Sequence, residues 1–432
     1  MPRKLFLGVL LVLSLSAADV DLAGHQAGQA MLNDIVYGPD GRIYKTIYRY
    51  YDQHNPEIFV STAREKIAAG ATEGFYYEAL ALDAVNKLDA AEAGRLYQEA
   101  LRRAPTDDMI QNNSAVFYLV ALSDFTKAEA LFRRAYARPF LPGFKIDYFE
   151  NLLAAYLARQ KYREAIAWLD DYLSQLASAK QCAAALKNSL AGQAYGALAA
   201  SLPNMDQASR DRLLALSQKW AKKFPDSAYL QMYYGLCLHE TAPQKNRKKY
   251  RERLTRAYQL DPSDQQIQNN YAACLVDNAE YAEAIRILQK AHAEFPQYFY
   301  PPYNLGYIYF IQRDYAEAEK WYLLACGLDP QNEQALAELL NLYESWSRDL
   351  YDRRQYADGL AAARKMTALA PRDFAGYFYE ACFYAALGAR DAALDSLEKA
   401  ITLAPDKAKK LAAEETDFVP LRGDPRFQEL LK

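Results

Sequence analysis

Apolar residues recur at helical spacing through most of the chain, and polar residues fill the positions between them. In one segment, Leu305 and Tyr309 mark a first apolar face, while Ala318, Tyr322 and Ala325 mark a second. Spacings of three, four and seven residues place such side chains on one side of an α-helix. The pattern therefore predicts pairs of amphipathic helices. Because one pair cannot bury its own apolar stripe, neighbouring pairs are expected to stack.

The helix pairs follow a sequence period of 34 residues. Pro262, Pro296 and Pro330 are 34 residues apart, and each ends a similar phrase, such as Ala-Tyr-Gln-Leu-Asp-Pro or Ala-Cys-Gly-Leu-Asp-Pro. A proline disfavours helix at the residue before it, so each phrase predicts the end of a second helix. Within a copy, Gly306 lacks bulk where two helices cross closely, and Tyr322 is expected to fill the space beside it.

The clearest copy combines Tyr303-Asn-Leu-Gly-Tyr-Ile-Tyr309 with Asp314-Tyr-Ala-Glu-Ala318, followed by Tyr322, Ala325 and Pro330. This order resembles the tetratricopeptide repeat, a helix-turn-helix unit with Leu-Gly, Tyr, Ala, aromatic, Ala and Pro at fixed offsets. The resemblance implies an all-α fold, a solenoid of nine repeats over residues 74–407 with a capping segment at 408–432. The repeat starts are placed at Gly74, Met109, Ile146, Ala185, Ala228, Gln265, Phe299, Glu333 and Phe374.

Three repeats are longer than the period. The fourth carries extra residues around Ser201, the fifth from Ala242 to Lys249, and the eighth from Ser345 to Arg354. Exposed turns tolerate insertions better than packed helices do. We therefore expect all three insertions in the turn between the two helices of their repeat.

Residues 19–73 form a separate N-terminal region with two alternative structures. Tyr44, Ile47 and Tyr51 fit one face of a helix, and Pro56 would open a second helix to Ala69, which together make a degenerate repeat. The alternative is a β-hairpin that turns at Gly-Pro-Asp-Gly, residues 38–41. The helical alternative is the one we predict.

The first 18 residues have the pattern of a secretory signal peptide. Arg3 and Lys4 precede an apolar run from Leu5 to Leu15, and small residues follow at 16–18. The run is far shorter than the roughly 20 residues of a membrane span. We expect cleavage before Asp19 and export to the periplasm or cell envelope, with secretion as the alternative. No integral membrane span is expected in the mature chain.

Composition and motifs give little indication of a catalytic, metal or nucleic-acid-binding site. The 51 basic and 54 acidic residues nearly balance, which disfavours a nucleic-acid partner. The four histidines are far apart, and the one His-acid pair, His239 and Glu240, diverges on a helix by about 100°. No nucleotide-binding or hydrolase motif occurs. The five cysteines form no metal-binding pattern and are expected to be small core residues. We predict no catalytic, metal or cofactor site.

In proteins that resemble this one, the first helices of successive repeats line a concave groove, and repeat positions 2, 5, 9 and 12 share one helix face. The aromatic candidates for this groove are Tyr300, Tyr303, Tyr307, Phe310 and Tyr229. The asparagine candidates, whose amides can hydrogen-bond an extended peptide, are Asn151, Asn269, Asn270, Asn304 and Asn341. The alternative is that the aromatic residues pack as core and that the asparagines only help to pack neighbouring turns.

One basic cluster, from Lys245 to Arg253, is predicted to be a solvated helix face, and the alternative is that it binds an acidic partner or an anionic membrane surface. The overall expectation is a non-catalytic scaffold or adaptor of the periplasm or envelope, which binds a protein or peptide segment, within an envelope complex. The alternative is an enzyme or enzyme subunit that uses the repeats to hold its substrate or partner.

Overall fold

The structure, a computed structural model, describes residues 32–37, 43–48, 56–137, 144–179 and 182–432. The predicted signal peptide, residues 1–18, lies outside the described residues. The chain divides into two compact units, with the boundary in the sequence between Ile267 and Gln268. Below, residues up to 267 are the N-terminal unit and residues 268–432 are the C-terminal unit.

The N-terminal unit consists of a β-hairpin and a series of antiparallel helix pairs. Each pair begins with a first helix at one of the predicted repeat starts. A short 3₁₀ helix, Leu202–Asn204, lies between α8 and α9. The elements are β1 Leu32–Tyr37, β2 Ile43–Tyr48, α1 Pro56–Ala68, α2 Gly74–Asn86, α3 Ala90–Arg103, α4 Asp108–Val120, α5 Phe125–Tyr136, α6 Phe144–Ala158, α7 Tyr162–Ser178, α8 Ala184–Ala199, α9 Gln207–Lys223, α10 Ala228–Thr241 and α11 Pro243–Leu260.

The predicted helix around Tyr44 and Ile47 is wrong. Residues 32–37 and 43–48 are instead antiparallel strands, with Leu32 opposite Tyr48 and Tyr37 opposite Ile43. This is the hairpin alternative, although its turn at 38–42 and Tyr51 lie outside the described residues. The second predicted helix does form, as α1. A run of six residues fits either period, and the Gly-Pro-Asp-Gly sequence between the two strands is typical of a turn.

The C-terminal unit continues with helix pairs and ends in a cap, residues 405–432, which begins three residues before the predicted capping segment. Its elements are α12 Gln265–Asp277, which begins three residues before the boundary, α13 Tyr281–Glu294, α14 Tyr300–Ile311, α15 Tyr315–Leu328, α16 Glu333–Asp352, α17 Tyr356–Leu369, α18 Phe374–Ala386, α19 Arg390–Leu403, α20 Pro405–Glu414 and α21 Pro425–Leu431. In the cap, Phe418, Leu421 and Phe427 are buried in one cluster with residues of α18 and α19. The cap thus covers an apolar face of the last pair.

The described chain therefore contains nine helix pairs, α2/α3 to α18/α19, as predicted. The small residues serve the close crossings expected of them. In the seventh pair Ala318 and Ala325 are fully buried, and a methyl group added at Gly306 would lie 2.7 Å from Cδ1 of Tyr322. At that distance the two groups overlap, so this crossing requires glycine.

Two of the three expected insertions lie inside helices and not in turns. Only Ala242 separates α10 from α11, so the extra residues of the fifth repeat extend α11 to 18 residues. In the eighth repeat α16 has 20 residues against 13 in α18, a difference of seven. Because about 3.6 residues make one turn, seven residues add nearly two whole turns and keep the apolar stripe on one face. The insertion of the fourth repeat does lie between its two helices, α8 and α9.

Seven of the nine turns inside the repeats, those of all but the fourth and fifth, share one backbone feature. Leu88, Ser123, Gln160, Ala279, Arg313 and Arg354 all have φ between 54° and 62°, and Gly388 has φ of 75° at the corresponding place. Each follows the end of a first helix, where a left-handed residue commonly terminates the helix. Among these seven turns only that of the ninth repeat uses glycine, so the other six hold L-residues in a conformation that is unfavourable for them.

Candidate functional site

The first helices of repeats one to three are joined by buried polar side chains. Asn113 Nδ2 on α4 donates to Glu78 Oε1 on α2 at 2.8 Å. Asn112 Nδ2 donates to Asn113 Oδ1 at 3.1 Å, and Asn151 Nδ2 on α6 donates to Asn112 Oδ1 at 2.8 Å. All four side chains are buried. Asn151, a predicted groove residue, therefore bonds to the neighbouring repeat within the same unit, as the packing alternative describes.

The β-hairpin covers part of the same helices. Strand β2 lies against α4 and α6, the first helices of repeats two and three. Every residue of α4 from Met109 to Leu119 is buried, including the successive polar residues Gln111 to Ser114. A helix that lined an open groove would expose one face. The first-helix surface of repeats two and three is therefore occupied by other parts of the chain.

Tyr229 in the fifth repeat is held by its own unit. Its Oη donates to Asp264 Oδ2 at 2.5 Å, and its ring stacks on Tyr233 with centroids 6.3 Å apart. Burial, and next the Asp264 carboxylate, raise the pKa of Tyr229 above its ordinary value. The side chain is half-buried. Its role as a groove residue stays a prediction.

In the C-terminal unit the asparagine pattern appears again. Asn304 Nδ2 on α14 donates to Asn269 Oδ1 on α12 at 2.7 Å. Asn269, Asn270 and Asn304 are all buried, with exposures of 1% or less. The amides of Asn269 and Asn304 thus link two successive first helices. Whether any of the three also contacts a peptide stays a prediction.

The aromatic row on α14 is exposed only in part. Tyr300 and Tyr303 are 4% and 5% exposed, and Tyr303 belongs to a core cluster with Tyr322 and Leu339. Burial raises the pKa of Tyr303 to about 12, with the nearby Glu338 charge adding to the effect. Tyr307 and Phe310 are half-buried. The row is therefore not one continuous exposed stripe. Tyr307 and Phe310 form the part that a partner could reach.

A more open surface follows on α16 and α18. Asn341 is half-buried, and its Nδ2 donates to Glu338 Oε2 at 3.3 Å on the same helix. Asn341 and Glu344 of α16 line a small cleft of about 210 Å³ together with Ala375 and Gly376 of α18. Asn341, a predicted groove residue, thus lines a cleft.

A larger cleft of about 600 Å³ lies at the C-terminal end of the array. Three elements line it: the end of α16, the α18 face and the cap. Its lining includes Glu344, Arg348 and Tyr351 from α16, Phe374, Phe378, Tyr379, Cys382 and Phe383 from α18, and Lys407, Leu411, Glu415 and Asp417 from the cap. The sequence analysis missed this cleft. Its signal was the insertion in the eighth repeat, which we had assigned to a turn.

The basic cluster occupies the first turns of α11. Lys245, Lys248 and Lys249 are exposed. Arg253 is half-buried, donates to Gln231 Oε1 at 3.0 Å, and lies over the Tyr234 ring at 5.3 Å. Arg253 is therefore part of the helix packing, and the cluster is mainly a helix face in solvent.

Among the residues that the structure describes, no three His, Cys, Asp or Glu side chains could hold a metal ion together. His239 packs on the Tyr250 ring, 4.7 Å between centroids. No disulfide joins any two of the five cysteines, and four of them are buried. None of the helices in the described ranges has the length and apolarity of a membrane span.

The fold and the repeated helix pairs define a solenoid-type helical repeat protein. Family models described as tetratricopeptide repeat match residues 78–142, 303–332 and 376–407. The chain therefore contains tetratricopeptide repeats, as its sequence resemblance implied, in an α-solenoid fold preceded by one β-hairpin. This class of repeat indicates a protein-interaction scaffold.

Several solved structures are similar to the chain. YrrB, a TPR protein with an unusual peptide-binding site, is 19% identical, with 46% of this chain and 97% of that chain covered and a TM-score of 0.34. PilF of Pseudomonas aeruginosa is 18% identical, with 53% and 99% covered and a TM-score of 0.36. The human IFIT1 dimer with PPP-AAAA is 16% identical, with 88% and 90% covered and a TM-score of 0.36. At these values the similarities carry no information on function. No curated protein sequence matches the chain.

Proposed function

We propose that this protein is a non-catalytic scaffold of the periplasm or cell envelope, which holds a polypeptide segment on the first helices of its C-terminal repeats. The observation that carries the proposal is the half-buried surface of α14 and α16 that includes Tyr307, Phe310 and Asn341. Half-buried aromatic rings next to amides suit an extended peptide, because the rings supply apolar area and the amides bond its backbone.

The N-terminal repeats are the weaker candidates for this role. Strand β2 already lies against α4 and α6, and the Asn112, Asn113 and Asn151 amides bond to one another. A partner there would have to displace the hairpin. The surface on α14 and α16 has no such strand among the described elements.

Export is supported by the first 18 residues alone, where a basic start precedes an apolar run and small residues. Cell fractionation with N-terminal sequencing of the mature protein tests it. An N-terminus at Asp19 in the envelope or periplasmic fraction is expected. An intact N-terminus in the cytoplasmic fraction would contradict this part of the proposal.

Site-specific photocrosslinking in the native cell tests the binding surface. A photoreactive phenylalanine analogue replaces Tyr307 in one variant and Asn341 in another. The control places it at Leu324, an exposed residue of the second helix α15. We expect the first two variants to capture the same polypeptide and the control to miss it. Equal capture at all three positions, or capture at Leu324 alone, would refute the assignment.

A further inference from the structure

The C-terminal cleft exists because the eighth repeat departs from the others. Arg348 and Tyr351 belong to the part of α16 that exceeds the length of α18, and Tyr351 Oη donates to Asp417 Oδ1 in the cap. The opposite wall comes from Lys407 and Leu411 of α20. Its volume of about 600 Å³ is in the range of ligand sites in proteins, roughly 300–1,000 Å³. The helix extension and the cap together enclose this space.

The cleft has an aromatic lining. Phe378 and Phe383 are buried at its base, while Phe374 and Tyr379 are half-buried. The Lys407 ammonium already lies over the Phe374 ring, 4.7 Å from its centroid. Aromatic faces attract cations through the ring quadrupole, and they also pack against the methylene stems of long basic side chains. The lining therefore suits a group that is both cationic and partly apolar.

The charges around the cleft are unbalanced. Four carboxylates line it, those of Glu344, Asp373, Glu415 and Asp417, but only two cations, Arg348 and Lys407. Arg348 Nη2 is already paired with Glu344 Oε1 at 2.8 Å. In the described chain no ion pair joins Glu415 or Asp417 to a cation.

The environment of Asp417 disfavours its charged form, mainly because the carboxyl group is partly buried. Burial, and after it the nearby Glu415 charge, raise the pKa of Asp417 above its ordinary value, although the Tyr351 hydroxyl counteracts them. The carboxylate is thus less stable in its charged form than in water, and a cation placed beside it would relieve this cost.

We propose that this cleft binds a lysine or arginine side chain of an extended polypeptide, with its cation at Glu415 and Asp417 and its stem against Phe374 and Phe378. The proposal rests on the proposed function and names the kind of segment that the scaffold holds. Charge complementarity selects the occupant, since an acidic segment would add to four carboxylates and an uncharged one would leave Glu415 and Asp417 without a cation.

Fluorescence anisotropy on the full chain tests the proposal with three labelled short peptides. They share Gly-Ser flanks and differ only in a centre of Phe-Lys-Phe, Phe-Gln-Phe or Phe-Glu-Phe. We expect the lysine peptide to bind about tenfold more tightly than the glutamine peptide, and the glutamate peptide to bind most weakly. The double variant Glu415→Gln with Asp417→Asn should abolish this preference, because it removes both charges and keeps an oxygen to accept from Tyr351.

A matched control removes the same charge from the cap outside the cleft. Asp406→Asn with Glu414→Gln changes two exposed carboxylates of α20 that do not line the cleft, and it should keep the lysine preference. Equal affinity for the three peptides, no binding of any of them, or loss of preference in both double variants would overturn the cleft assignment. If Nα-acetyl-lysine methylamide bound as tightly as the peptide, a small amine would be the occupant, which also overturns it. The crosslinking at Tyr307 and Asn341 does not involve the cleft, so it decides the scaffold proposal separately.

Discussion

The left-handed turn residues allow a stabilising substitution whose size follows from the structure. Leu88 lies between α2 and α3 with φ of 59° and is 92% exposed, so its side chain has little packing to lose. A left-handed L-residue costs about 1–2 kcal/mol, and glycine there is free of that strain. Glycine also gives the unfolded chain more conformational freedom, which reduces the gain in stability by about 0.4–1 kcal/mol. Leu88→Gly should therefore stabilise the first helix pair by about 1 kcal/mol.

Native-state hydrogen exchange is the suitable assay, because repeat arrays open locally and a single unfolding free energy does not describe them. Amides of α2 and α3 should exchange about fivefold more slowly in Leu88→Gly. Leu88→Ala removes the exposed side chain without relieving the backbone, so it should leave the exchange rate nearly unchanged. Gly388→Ala, at the corresponding turn of the ninth repeat with φ of 75°, should speed exchange in α18 and α19. If Leu88→Ala slowed exchange as much as Leu88→Gly did, the backbone argument would be wrong.

Two further predictions concern packing and pH. Gly306→Ala should destabilise the C-terminal unit by about 1–3 kcal/mol, because the added methyl would overlap Tyr322, whereas Gly327→Ala, with open space around it, should stabilise by about 0.5–1 kcal/mol. Urea denaturation compares the two, and shifts of equal sign would contradict the crossing geometry. Because the pKa of Tyr303 is raised to about 12, the fold favours its neutral phenol, so its contribution is intact below about pH 10 and is lost as the pH rises towards 12. Circular dichroism during alkaline titration should show that Tyr303→Phe loses less of its neutral-pH stability than the wild type, and parallel losses would refute this.

Much of the fold could be predicted from the sequence because the same 34-residue pattern of prolines, small residues and apolar residues recurs along the chain. Proline after most of the second helices and glycine or alanine at the helix crossings recur at fixed offsets, so Gly306 and Ala318 were placed correctly. The N-terminal region lacks that repetition. There Tyr44 and Ile47 satisfy helical spacing as well as they satisfy a strand, and a single short run cannot distinguish the two periods.

The candidate site was less predictable. Repeat positions identify which asparagines share a helix face, but the bond between Asn304 and Asn269 depends on the distance between two repeats, which the sequence does not contain. Burial of Tyr300 and Tyr303 likewise depends on what lies against them. The cleft was missed because the seven extra residues of the eighth repeat were assigned to a turn, whereas a helix can absorb two whole turns without changing its face.

The seven-residue extension of α16 also indicates how such an array can acquire new specificity. Lengthening α16 by seven residues leaves the angular phase of its apolar stripe almost unchanged, so the pairs before and after it need no adjustment. An insertion of three or four residues would add about one helical turn and would rotate the apolar stripe by roughly 40–60°. Helix length, adjusted in heptads at a single repeat, is thus a degree of freedom through which evolution or design can add a local surface to the array while every other interface keeps its sequence.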